Sequence, residues 1–112
     1  ITAKSRKQVP TGLAALAPPG TYIRVAPRSG LAIKDIDVVA GVIDPDYRGE
    51  IKAVLANHGT GTFKIEQGAR IAQLILERIA TPDVVEVESV EQLGATERGA
   101  GGYGSTGGHK AL

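Results

Sequence analysis

A chain of 112 residues with a formal net charge of +1 is one small domain, and its charge makes no electrostatic case for duplex DNA or a membrane surface. It contains no Cys, which excludes disulfides and thiolate zinc sites and fits a reducing, intracellular compartment. No stretch nears the roughly 18 apolar residues of a membrane span, and no signal peptide is visible. One Phe, three Tyr and neither Trp nor Met leave the core to Val, Ile, Leu and Ala, thin for a chain with fifteen glycines. Sharing apolar surface between subunits would relieve that shortage.

In chain order the pattern is one of short strands cut by Gly, Pro or Asn. Residues 1–12 read as a strand, and the apolar run 13–17 leads into the Pro18-Pro19-Gly20 turn. Residues 21–26 alternate, with Ile23 and Val25 on one face and Tyr22 and Arg24 on the other. After a turn at 27–30, residues 31–34 suffice for a single helical turn. Val38, Val39, Val42 and Ile43 precede a turn at 44–47, and Ile51, Ala53 and Leu55 alternate after it, which predicts a hairpin with a long second strand over 49–57. Residues 57–61 read as a loop, 62–65 as a short strand, 70–77 as another, and 84–87 as the last. The only helix candidate lies around 89–93. From Gly94 the composition shifts to Gly, Ser and Thr, so an arm over 94–112, mobile without a ligand, follows a β domain over 1–93. Repeated strands with Gly/Pro turns predict an all-β sandwich or barrel-like fold.

The segment AGVIDPDYRGE at 40–50 concentrates the chemistry. Asp44-Pro45-Asp46-Tyr47 has β-turn composition, with Asp suited to the first position and Pro pre-set for the second. It holds a carboxylate and an aromatic ring near each other. The carboxylate can take a proton from water, and the ring can lie against a sugar or base. Arg28-Ser29-Gly30 is either a plain turn or an anion cradle whose glycine permits close backbone approach. Gln73 interrupts an apolar strand on the face of Ile71 and Ile75, so it must be hydrogen-bonded if it is buried. Arg70 reads as a structural or interface residue, and Glu50, Lys52, Glu66 and Glu77 as solvent-facing strand positions. GAGGYG at 99–104 matches a dinucleotide fingerprint formally, but no βαβ unit surrounds it. Within it and beyond, Arg98 offers a phosphate fork, Tyr103 a stacking face, and Ser105 and Thr106 donors. His58 and His109 have no metal-ligand spacing around them, and no Ser-His-Asp arrangement emerges.

Four segments in order resemble motifs of the trimeric dUTP diphosphatases, the dUTPases: APRSGLA at 26–32, AGVIDPDYRGE at 40–50, QGARIAQLI at 67–75 and RGAGGYGSTG at 98–107. With the intervening strands the resemblance covers almost the whole chain. A further family motif, of the form Ala-Gly-x-Asp-Leu, ordinarily precedes the region resembling residues 1–12, and no counterpart stands in this sequence.

The resemblance implies a β-clip, a distorted jelly-roll-like barrel of short strands, assembled as a homotrimer with sites at subunit interfaces. It implies hydrolysis of dUTP to dUMP and pyrophosphate by in-line water attack on the α-phosphorus. This would limit uracil in DNA and supply dUMP. Asp44 is then the general base and contacts the 3′-hydroxyl, and Tyr47 stacks under the deoxyribose. The backbone of Val39, Gly41, Val42 and Ile43 reads uracil. Arg28, Ser29 and Gly30 cradle phosphates, with Ser29 at the α/β bridge. Gln73 is either a phosphate or metal-water contact or a trimer-interface amide. Arg98, Tyr103, Gly104, Ser105 and Thr106 close over the substrate. Mg²⁺ is held mainly by the triphosphate, with no protein metal cluster. No stable nucleic-acid binding is expected. The missing motif leaves a non-catalytic trimeric binding module as the alternative, and a dCTP deaminase relative as a weaker one.

Overall fold

The computed structural model describes residues 1–102, and the chain parts into two compact units, Ile1–Thr81 and a second from Pro82 onward. The first unit carries two three-stranded antiparallel sheets. In one, β5 (Ile51–Asn57) lies between β1 (Ser5–Leu13) and β3 (Ile36–Ala40). In the other, β2 (Thr21–Ala26) lies between β4 (Val42–Ile43) and β6 (Gln73–Arg78). One helical turn, α1 (Ser29–Ala32), connects β2 to β3. Among the described residues no helix is long and apolar enough to cross a membrane.

Alternation accounts for the central strands. In β2 Ile23 and Val25 are buried while Arg24 is exposed, as its sequence pattern requires. In β5 Ile51, Ala53 and Leu55 point inward and are almost wholly excluded from water. Together with Val25 they form the core, and Val9, Val38, Ile43, Ile65 and Ile71 pack around them. The core is aliphatic, in keeping with the composition. Pro10 lacks an N–H and sits on the outer strand β1, where the ladder slips between Pro10 and Leu13. Gly12, at φ 74°, lies inside that irregularity.

The hairpin departs from expectation in an instructive way. β3 and β5 do pair, but the register shifts between Val38 and Ala40. The Ala40–Gly41 peptide is cis, and the next two residues leave for the other sheet, where Val42 pairs with Arg24 and Ile43 with Ile23. Val25 N–H donates to Gly41 O at 2.9 Å at the crossing. One predicted arm thus serves two sheets.

Two predicted strands are absent. Residues 62–65 do not form a strand of their own: Phe63 N–H donates to Ile1 O at 2.9 Å and Phe63 O accepts from Ile1 N at 2.6 Å, one residue pair and no ladder. Residues 84–87 are β-prone, yet Val84 and Val85 stay exposed and no described strand pairs with them. A strand exists only with a partner edge, which composition cannot supply. The predicted helical pieces appear as α1 and as a 3-10 turn, Val90–Leu93, in the second unit.

Asn57 closes β5 and is the buried polar side chain of the first unit. Its Nδ2 donates to Ile1 O at 3.0 Å and to Gly61 O at 2.8 Å, and its Oδ1 accepts from Gly59 N–H at 2.9 Å. The amide therefore ties the 58–61 loop and the first residue to the core sheet. Truncating a buried side chain and orphaning its partners typically costs about 2–4 kcal/mol. Asn57→Ala should lower the urea midpoint by a matching amount with an unchanged m-value; a loss under about 0.5 kcal/mol would remove the amide as a stability anchor.

Candidate functional site

The turn at 44–47 closes as its composition requires, with Tyr47 N–H donating to Asp44 O at 3.1 Å. The Tyr47 hydroxyl then donates to Glu50 O at 2.7 Å, so the ring folds back along the turn instead of pointing freely into solvent. Glu50 is held in its own right, its Oε2 accepting from Gly12 N–H at 2.8 Å. Arg48 Nη1 caps the turn by donating to Pro45 O at 2.8 Å.

These bonds shape a cleft of about 320 Å³ where the two sheets part. Of the predicted residues, Gly41, Val42, Ile43, Asp44 and Tyr47 line it. Val39 does not; it sits in the ladder shift, exposed. Gln8, Ala40, Glu50, Lys52 and Val54 complete the lining. Glu50 and Lys52 are exposed, as the sequence pattern had them, and they also stand on the wall of the cleft. The carboxylate of Asp44 makes no hydrogen bond or ion pair within the described residues, so its oxygens remain available to water or a ligand. A larger hollow of about 660 Å³ beside β1 is lined by core aliphatics together with residues 10–13 and the 66–69 turn, and includes none of the predicted residues. Size therefore does not select the site; placement of polar groups does.

A second cluster forms around α1. Arg28 Nη1 donates to Arg70 O at 2.9 Å, and Gln73 Nε2 donates to Pro27 O at 2.9 Å. The two bonds clamp the turn before α1 against the approach to β6, leaving Ser29 and Gly30 exposed at its tip. Gln73 is itself exposed, so the condition attached to its burial does not arise, although its amide is bonded all the same. None of Arg28, Ser29, Gly30 or Gln73 lines the Asp44 cleft. An added Cβ at Gly30 or Gly41 would meet nothing within 4 Å, so packing inside the chain does not demand glycine at either position.

In the second unit Arg98 forms a small turn, its Nε donating to Gly101 O and its carbonyl accepting from Gly101 N–H. Tyr103, Gly104, Ser105 and Thr106 lie outside the described residues. Among the described residues no three His, Cys, Asp or Glu side chains group to hold a metal ion. On the sheet of β2 and β6, Tyr22 donates a short hydrogen bond to Glu77, which raises the phenol above its usual pKa and lowers the carboxylate below its own. Arg24, at 3.3 Å from Glu77, adds to the second effect.

Gly49 has a local reason to be glycine: a Cβ there would sit 2.6 Å from the Tyr47 hydroxyl oxygen. Gly49→Ala should expel the ring and break its bond to Glu50, seen as a change in the Tyr47 ring resonances and their contacts to the turn. An unmoved ring would mean that the turn backbone, not the ring, yields.

The family model for dUTPase matches residues 1–107. The deoxyuridine 5'-triphosphate nucleotidohydrolase of Arabidopsis thaliana is 54% identical over 108 residues, covering 96% of this chain and 63% of that protein. That of Candida albicans is 56% identical, covering 96% and 67%. The chain spans about three-fifths of the length of several such relatives. Among solved structures, a Staphylococcus bacteriophage 80alpha dUTPase mutant with dUpNHpp superimposes with a TM-score of 0.81 at 25% identity, covering 95% of this chain and 78% of that one. The EIAV dUTPase gives 0.71 at 27%, covering 80% and 75%. A match over nearly every residue, with the Asp44–Tyr47 turn formed and set on its cleft, leads to one conclusion: this chain belongs to the dUTPase family.

Proposed function

We propose that the chain builds the nucleotide site of a dUTP diphosphatase, cleaving dUTP to dUMP and pyrophosphate. The observation that carries this reading is the pairing of an unengaged Asp44 carboxylate with a braced Tyr47 ring on one cleft. The relatives' names and the nucleotide bound by the phage protein point the same way. In the cell such an activity limits uracil in DNA and supplies dUMP.

Asp44 accepts a proton from water, and the water oxygen attacks the α-phosphorus in line. The bond from that phosphorus to the bridging oxygen breaks, and the pair of electrons leaves with pyrophosphate. Asp44 also receives the 3′-hydroxyl. Tyr47 lies against the deoxyribose and leaves no room for a 2′-hydroxyl, while Gly41, Val42, Ile43 and Val39 offer backbone groups to uracil. Arg28, Ser29, Gly30 and Gln73 serve the phosphates. Arg98, Tyr103, Gly104, Ser105 and Thr106 add phosphate donors and a stacking ring. Mg²⁺ would come with the substrate as the Mg²⁺–dUTP complex, held mainly by the triphosphate.

Base-side and phosphate-side groups stand in separate clusters of one chain, which is what a site completed by neighbouring copies requires. Open space beside Gly30 and Gly41 among the described residues leaves room for close approach by a ligand or a second subunit. A homotrimer with three shared sites fits this division. Light scattering of the full chain should give three times the mass of one chain, and a stable monomer that hydrolyses dUTP would refute shared sites.

Asp44→Asn tests the mechanism. Turnover of dUTP should fall by about 10²–10⁴-fold, the usual range for a positioned acid or base, while binding of dUpNHpp changes far less. Near-normal turnover would return the turn to a structural role. Tight binding without pyrophosphate release from the unaltered protein would leave a nucleotide-binding module in place of an enzyme.

A further inference from the structure

The Tyr47 side chain is 41% exposed, so packing alone does not fix its ring. Its hydroxyl is anchored on Glu50 O, and that carbonyl is held in turn from β1. Across the β1–β5 ladder Pro10 stands opposite Lys52 and Leu13 opposite Ile51, so Thr11 and Gly12 bulge out without partners on β5. Gly12, in the left-handed region that favours glycine, donates its N–H to Glu50 Oε2 at 2.8 Å. The Thr11 hydroxyl donates to Ile51 O at 2.6 Å and accepts from Leu13 N–H at 3.2 Å.

The bulge of β1 therefore grips the chain just after the turn at two successive residues, Glu50 and Ile51. Glu50 has two parts in this: its side chain takes the N–H of Gly12, and its main chain takes the hydroxyl of Tyr47. A carboxylate that accepts from a backbone N–H makes a charge-assisted bond, roughly twice as strong as a neutral one. Gly49 lies close under the ring, since a Cβ there would sit 2.6 Å from the Tyr47 hydroxyl oxygen. Were Glu50 released from Gly12, its carbonyl would be free to shift and the ring would shift with it.

We propose that Glu50 is a positioning residue: anchored on the β1 bulge, it holds the Tyr47 ring at the place where the ring meets the sugar. The inference rests on the diphosphatase reading above and goes beyond it, because Glu50 touches neither the substrate nor the reacting atoms in that reading. A ring excludes a 2′-hydroxyl only if it cannot retreat from it. Such a site works when its supporting groups keep it within about 0.5 Å of the productive geometry. The bulge and Glu50 supply that support from a strand distant in sequence, which the turn alone does not contain.

The test compares kcat and KM for dUTP and UTP on the full chain, each variant being checked for folding by thermal melting. The set is the unaltered protein, Glu50→Ala, Glu50→Gln, Tyr47→Phe and Glu50→Ala combined with Tyr47→Phe. Glu50→Ala should lower the dUTP/UTP ratio of kcat/KM by about tenfold, as loss of a charge-assisted hydrogen bond predicts. For dUTP the change should fall on KM more than on kcat, because Asp44 is untouched. Glu50→Gln keeps an acceptor for Gly12 N–H and should hold the ratio within about threefold. In the Tyr47→Phe background Glu50→Ala should lower the ratio by less than about twofold more, because the hydroxyl bond it supports is already gone. An equal fall for dUTP and UTP, a ratio unchanged in Glu50→Ala, or full additivity with Tyr47→Phe overturns the inference while the unaltered protein turns over dUTP. Failure of the unaltered protein to turn over dUTP would instead bring down the diphosphatase reading, and the inference with it.

Discussion

The one-sided burial of β5 is the constraint on which the rest of the first unit depends. Ile51, Ala53 and Leu55 must face the core because an aromatic-poor chain has few other large groups to bury. Strand periodicity then obliges Lys52 and Val54 to face the opposite way, onto the cleft. Core and cleft are two faces of one strand. A one-residue slip in β5 would exchange them, which is why the pairing with both β1 and β3 matters more than any single contact.

The second determinant is the crossing at Gly41. By leaving β3 for the partner sheet, the chain opens a gap that β5 and β1 floor and the Asp44–Tyr47 turn borders. The turn is braced at three places, through Asp44 O, Pro45 O and Glu50 O. Bracing of this kind would fix the geometry of the proposed site before a ligand arrives, and pre-organisation is where much of an enzyme's advantage resides.

Local chemistry made much of this legible. The bounds of β2, the inward set Ile23 and Val25, and the turn at 44–47 all follow from alternation and from Asp-Pro composition. Non-local pairing did not show. Gln8 reaches the cleft only because β1 pairs with β5 in a particular register, and Glu50 is held by Gly12, 38 residues away in sequence. Residues 62–65 and 84–87 have strand composition, but their outcome depended on the presence of a partner edge. Gln73 carried a condition, a hydrogen bond if it were buried; β6 is an outer strand of its sheet, and its exposure is decided there.

The outer position of β6 has a consequence for the assembly. Leu76 pairs with buried Ile23 and Leu74 with buried Val25, yet Leu74 is 46% exposed and Leu76 55%. An inner sheet face that is dry on its central strand and wet on its outer one is half covered. The glycines at 30 and 41 leave open space of another kind, suited to close backbone approach. An uncovered apolar edge, unfilled glycine positions and a proposed nucleotide site divided between two clusters would all have the same remedy. Neighbouring copies in the proposed trimer would bury the leucines and bring phosphate-binding groups to the Asp44 cleft in one step, linking the stability of the fold to the completeness of its site.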